Sequence, residues 1–300
     1  MTDHYKPKPW EVIVAEYKER LEKENPVAFR VLDIGGVHPD KSAPMPNPYL
    51  DGQIDEENFG NIGVHCVEVA ICASRIVGSM LAKGVISGDQ AKEIVDRALV
   101  HDANKRFEVF RRKAKAAGRE VDIYTPSAYQ TMYDKLKASG VDDQLMLEYI
   151  KRAGKETGHG SLTDFISLNE HGEPVLKPTA TLGEMVVHLA DDSVASPLPG
   201  KTKNTETKLV TVGERMELGN FPARYPFLYK EGFGFDASGS PVIVKDVSSD
   251  FEIKDLRSVK TYAEWQPLVA RLICEHFKDM LEKDGQEDPE EFIKEIINQQ

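Results

Sequence analysis

Apolar residues recur at helical spacing along the chain as far as Ala195. Trp10 to Lys23 (WEVIVAEYKERLEK) sets apolar residues between charged ones with a period that predicts a first helix. Residues 34 to 60, with DIGG followed by HPDKSAPMPNPYLDGQ, are too rich in Pro, Gly and Asp for regular structure and predict a long surface loop. Ile62 to Lys83 (IGVHCVEVAICASRIVGSMLAK) is apolar on most of its circumference, as a helix at the centre of an all-α core must be, and Gly84 ends it. Asp89 is a suitable N-cap for the next helix, whose apolar Ala91, Ile94, Val95, Ala98 and Leu99 lead to His101. Asn104 to Ala117 is basic and polar and is expected to emerge into solvent. Ser127, after Pro126, opens a helix to about Ala138, and Asp142 opens another that ends near Gly154. The segment GKETGHGSLTDF interrupts the helices, and Thr181 with Glu184 then has the spacing of a capping box ahead of Met185 to Ala195.

After Pro197 the character changes to PLPGKTKNTETK, the aromatic run FPARYPFLYKEGFGF and the strand-like GSPVIVKDV, before Thr261 to Lys283 returns to a helix. No internal repeat is visible. The expected fold class is all-α. A helical core over 61–196 follows an N-terminal helix and long loop (1–60), and an irregular, partly β appendage (197–300) packs its C-terminal helix on that core.

Hydrophobic residues at 40% and charged residues at 29% of 300 fit an ordinary folded protein. No uninterrupted apolar run approaches the ~18 residues of a membrane helix, and MTDHYKPKPW lacks the apolar stretch of a secretory signal, so no membrane association and a cytoplasmic location are expected. Cys66, Cys72 and Cys274 are an odd number without CxxC spacing, which implies neither a disulfide framework nor a thiolate zinc site. A net charge of -12 argues against long nucleic acid as the main ligand, while leaving room for a small anion at a local basic site.

Candidate chemistry lies with the histidines. Of eight, four (His65, His101, His159 and His188) lie in segments that read as core helices or in the glycine-rich interruption between them. His101 is followed at once by Asp102 at the end of an apolar helix. Adjacent helical residues point about 100° apart, so the bland alternative is a histidine near a helix C-terminus beside a solvated acid. With thiolates absent, His, Asp and Glu are the residue types that supply lone pairs to a divalent ion. Polar ligands set into otherwise apolar helices are expected only if they converge on one site.

VHCVEVA at His65, LVHDANK at His101 and Asp102, and VVHLADD at Asp191 together resemble the HD superfamily of metal-dependent phosphohydrolases. That pattern is a histidine in one helix, a His-Asp doublet in the next and a distant aspartate in a later one. The resemblance spans about residues 60 to 196. It implies that His65, His101, Asp102 and Asp191 hold a divalent metal ion (Mn, Fe, Co, Ni, Zn or Mg), with Asp191 preferred to Asp192 because the family's aspartate commonly follows Ala. His159 and His188 are possible additional ligands.

The implied activity is hydrolysis of a small phosphorylated metabolite or nucleotide, with Asp102 orienting the attacking water. Lys105 stands where some family members carry an acid, so a catalytic cation contacting phosphate is expected there. Arg106 and His159 join Lys105 as expected substrate-binding residues, while Arg111 and Arg112 are expected to form a solvated face. Two alternatives stay open: a diiron oxygenase on the same fold, drawing on His159 and His188 as well, and a non-catalytic ligand-binding module. Homo-oligomerisation is also left open.

Overall fold

Several helix starts in this chain are set by short polar side chains, Ser87, Ser127, Asp143 and Thr181 among them, that take up backbone N–H groups lacking a partner in the first turn. The computed structural model describes residues 9–119, 125–156, 161–195, 208–217, 221–249, 254–281 and 288–298, and it is mostly helical with few short strands. Two compact units divide it: Met1–Ala73 with Lys92–Gly154, and Ser74–Ala91 with Lys155–Gln300. The dividing points fall within helices and near Gly154.

In the first unit, α1 (Trp10–Glu24) is followed by α2 (Pro26–Gly35), which the sequence pattern assigns to no element. Pro26 opens α2 with its fixed φ, and Gly36 closes it in the left-handed region at φ 68. A Cβ on Gly36 would lie 2.5 Å from Nη1 of Arg106, so only glycine fits there. The loop that follows is pinned by a small antiparallel pair, β1 (Met45–Pro46) with β2 (Ile54–Asp55). Next come α3 (Gly60–Ala82), α4 (Gly88–Val100), α5 (Lys105–Ala116), α6 (Ala128–Ala138) and α7 (Gln144–Glu156).

Several sequence expectations shift by a residue or a face. The cap of α4 is Ser87, which exchanges hydrogen bonds with Gln90 in a reciprocal box, and not Asp89. Asp143, not Asp142, accepts the Met146 N–H at the start of α7. Basic α5 is not simply a solvated helix, because Arg106, Phe107, Phe110 and Ala114 are buried. By length and composition α3 could cross a membrane, yet 61% of that window is buried inside the protein, as a central core helix must be.

In the second unit, α8 (Leu162–Phe165) leads into the hairpin β3 (Ile166–Leu168) and β4 (Pro174–Leu176), then α9 (Leu182–Ser193). Thr181 and Glu184 form the expected capping box on α9. Strand β5 (Val194–Ala195) pairs with β6 (Lys208–Leu209), followed by α10 (Val212–Glu217) and α11 (Phe221–Arg224). A three-stranded antiparallel sheet places β7 (Gly232–Phe235) between β8 (Pro241–Val244) and β9 (Arg257–Thr261). Helix α12 (Tyr262–Leu281) buries Trp265 against Phe233, their rings stacked 5.0 Å apart, and α13 (Pro289–Asn298) closes the unit. Helices α10 and α12 belong to the same unit as α9.

Candidate metal centre

Three of the expected ligands come together. His65 on α3, His101 just past the end of α4, and Asp191 in the last turn of α9 each offer one ligand atom, and these atoms all lie within 4.8 Å of one another. Such a group could hold a metal ion. The two imidazole rings meet edge to face, with centroids 5.3 Å apart. His101 is buried, while His65 and Asp191 are half-buried.

The ring of His101 is fixed by its surroundings. Its Nδ1 lies 2.7 Å from the carbonyl oxygen of Ala98. A carbonyl oxygen only accepts, so Nδ1 carries the proton and, in the neutral ring, Nε2 carries the lone pair. This is the arrangement that metal-binding histidines ordinarily use, with a backbone carbonyl setting tautomer and orientation. On α3, one turn beyond His65, the buried carboxylate of Glu68 accepts a hydrogen bond from Trp10 Nε1 at 3.2 Å. Sequence reasoning passes over Glu68, although it is the one acid within VHCVEVAICAS.

Asp102 does not belong to the three-residue group. Neighbouring residues point apart where the chain leaves α4, and the Asp102 carboxylate instead faces Lys105, whose ammonium lies 3.5 Å away and also 3.6 Å from Glu108. Glu108 accepts in addition from Asn104 Nδ2 and Tyr129 Oη. Burial, reinforced by the negative charge of Glu108, pushes the Tyr129 phenol up to about 12, so it stays protonated and remains a donor.

Arg106, expected at the substrate, has its partners within the protein. It is fully buried, and its guanidinium donates to the carbonyl oxygens of Gly36 and Ala43 at 2.9 Å each and of Asp55 at 3.2 Å, between the rings of Phe59 and Phe110. Its work is to fix the loop around β1 and β2. His159 lies outside the described residues. His188 is not in the metal group either: its ring packs on Phe165, and Nε2 lies 3.5 Å from the carboxylate of Asp192.

Asp192, the alternative to Asp191, has other partners. It is buried, ion-paired with Arg215 at 3.1 Å and hydrogen-bonded by Gln266 Nε2 at 2.7 Å. Arg215 and Gln266 lie in the stretch read as an appendage, and no spacing in the sequence points to them. No family model, no curated protein and no solved structure matches this chain.

Proposed function

We propose that this chain is a metal-dependent hydrolase of phosphate esters or anhydrides, of the HD type, acting on a small phosphorylated metabolite or nucleotide. The observation that carries the reading is the convergence of His65, His101 and Asp191. These are three of the four positions that the motif selects from eight histidines and fifty acidic residues, Asp102 being the fourth. Two imidazoles and a carboxylate fit a divalent ion of the borderline class.

Such an ion would supply Lewis-acid polarisation of a phosphoryl oxygen and a lowered pKa for a water. The chain's own residues do the rest. His101, held by Ala98, presents Nε2 without a search over rotamers. Asp102, paired with Lys105 next to His101, would orient the attacking water. Lys105 would bind phosphoryl oxygens, for which an ammonium with three donors is suited. With His188 engaged at Asp192, a compact centre with few ligands is favoured over the six-ligand diiron alternative.

Elemental analysis and calorimetric titration with Mn²⁺ and Co²⁺ test the centre, and a panel of phosphomonoesters and nucleotides tests the activity. His101→Ala should weaken binding at least a hundredfold, beyond the ~10–100-fold typical of an outer partner. Lys105→Ala should keep near-normal metal affinity and lose turnover efficiency. A wild-type protein that binds no divalent ion, or a His101→Ala variant that binds equally well, refutes the proposal.

A further inference from the structure

The end of α9 carries more polar structure than a helix terminus needs. The last carbonyls of a helix lack intrahelical partners. Here Asp191 O accepts from the Val194 N–H of the cap and also from Arg215 Nη1 at 2.6 Å. The same Nη1 reaches Asp192 Oδ1 at 3.1 Å, so one guanidinium nitrogen binds two consecutive residues of the turn that bears the candidate ligand. From α12, Gln266 Nε2 donates to the other oxygen of Asp192 at 2.7 Å. The Val210 N–H, just beyond β6, donates to Ser193 O at 3.1 Å, and Ser193 Oγ closes back on Leu189 O. Three elements therefore grip one helical turn.

Buried charge is a poor way to gain stability, since well-packed apolar residues often serve as well or better. A cation at a helix C-terminus does complement the helix dipole, but that requires only proximity to the terminus, not a donor shared between a backbone carbonyl and the next side chain. What this arrangement does is fix the rotation and height of the turn, and with it the direction of the Asp191 side chain. Asp192 and its partners act as the outer support, Asp191 as the ligand.

We infer that Arg215, with Asp192 and Gln266, is a positioning device that sets the metal affinity of the centre through Asp191. The inference rests on the metal-centre reading given above. Its test is calorimetric titration of the full chain with Mn²⁺, alongside thermal unfolding of the metal-free protein. Arg215→Met should weaken Mn²⁺ binding by about 10–100-fold, the usual cost of losing a partner that orients a ligand from behind. Arg215→Lys should recover part of the affinity, because a single ammonium can still reach the Asp191 carbonyl. Should Arg215→Met fail to fold with Asp192 left uncompensated, the charge-balanced double variant Asp192→Asn with Arg215→Met, which keeps a side-chain oxygen for Gln266 Nε2, should fold and show the same loss. A purely structural role would lower the unfolding temperature and leave Mn²⁺ affinity of the folded protein at the wild-type value, and that result overturns the inference alone. A wild-type chain that binds no Mn²⁺ overturns the metal centre and the inference with it.

Discussion

Replacing Arg106 by Leu should destabilise the unit that contains it while leaving the candidate metal ligands intact. The guanidinium makes three hydrogen bonds to carbonyl oxygens. After the substitution Gly36 O keeps a donor, because Ser42 Oγ lies 3.2 Å away, but the Arg106 donors to Ala43 O and Asp55 O are gone. Both of those bonds are part-buried and water can reach the freed carbonyls, so each loss costs about 0.5–1.5 kcal/mol, the net contribution of an ordinary hydrogen bond. Leucine replaces part of the apolar contact with Phe59 and Phe110, so the ring interactions of roughly 0.5–1 kcal/mol each are lost only in part. The expected loss is about 2 kcal/mol, within a range of about 1–3 from the same principle. Arg106→Lys should cost nearly as much, since one ammonium cannot reproduce the planar fork.

The chain has two tryptophans, and Trp10 and Trp265 fall in different units. In a Trp265→Phe background the emission of Trp10 reports the Arg106 unit alone, and urea unfolding followed at that wavelength measures the change. A loss below about 0.5 kcal/mol would refute the reasoning, because it falls under the net contribution of even one of these bonds. So would an Arg106→Leu protein of normal stability with sharply reduced turnover, which would return Arg106 to the substrate site.

Two further outcomes follow from local geometry. Thr181→Ala removes the acceptor for the Glu184 N–H and should cost about 1 kcal/mol, with Thr181→Ser within a few tenths; thermal unfolding measures both, and equal effects would count against the capping box. His38 is buried, and burial followed by the nearby Lys41 ammonium holds its imidazole below the usual value against the opposing pull of Glu22, Asp33 and Asp40. The unfolded chain then binds the extra proton first, so stability is full above a pH of about 6.5 and declines as pH falls towards the lower folded value. His38→Asn keeps an acceptor for the Asp40 N–H and should flatten that slope in urea midpoints taken between pH 5 and 8, whereas an unchanged slope would remove His38 as its source.

The legible part of this molecule is its helical periodicity. Helix α3 stands out because an apolar circumference demands burial, and α9 because Thr181 and Glu184 mark its start. Helix α2 is obscured because PVAFRVLDIGG runs straight into a Pro- and Gly-rich loop that dominates the local composition. Arg106 misleads because a basic residue beside a motif suggests an anion, while its true partners are backbone carbonyls, which leave no mark in sequence. The choice between Asp191 and Asp192 has the same origin. Both follow Ala190 on one helix, and Arg215 and Gln266, far along the chain, join His188 in giving Asp192 a different occupation.

The doublet divides into an anchored and an ion-paired member. His101 is buried and tied to Ala98, so its orientation is set within its own turn. Asp102 is ion-paired with Lys105, whose side chain is 42% exposed and shared with Glu108. The Asp102 side chain is itself 21% exposed, and Lys105 has Glu108 as a second acidic partner at 3.6 Å. On the proposed reading, an anchored imidazole followed by an ion-paired acid would give the centre a fixed ligand and a carboxylate to orient water within a single turn.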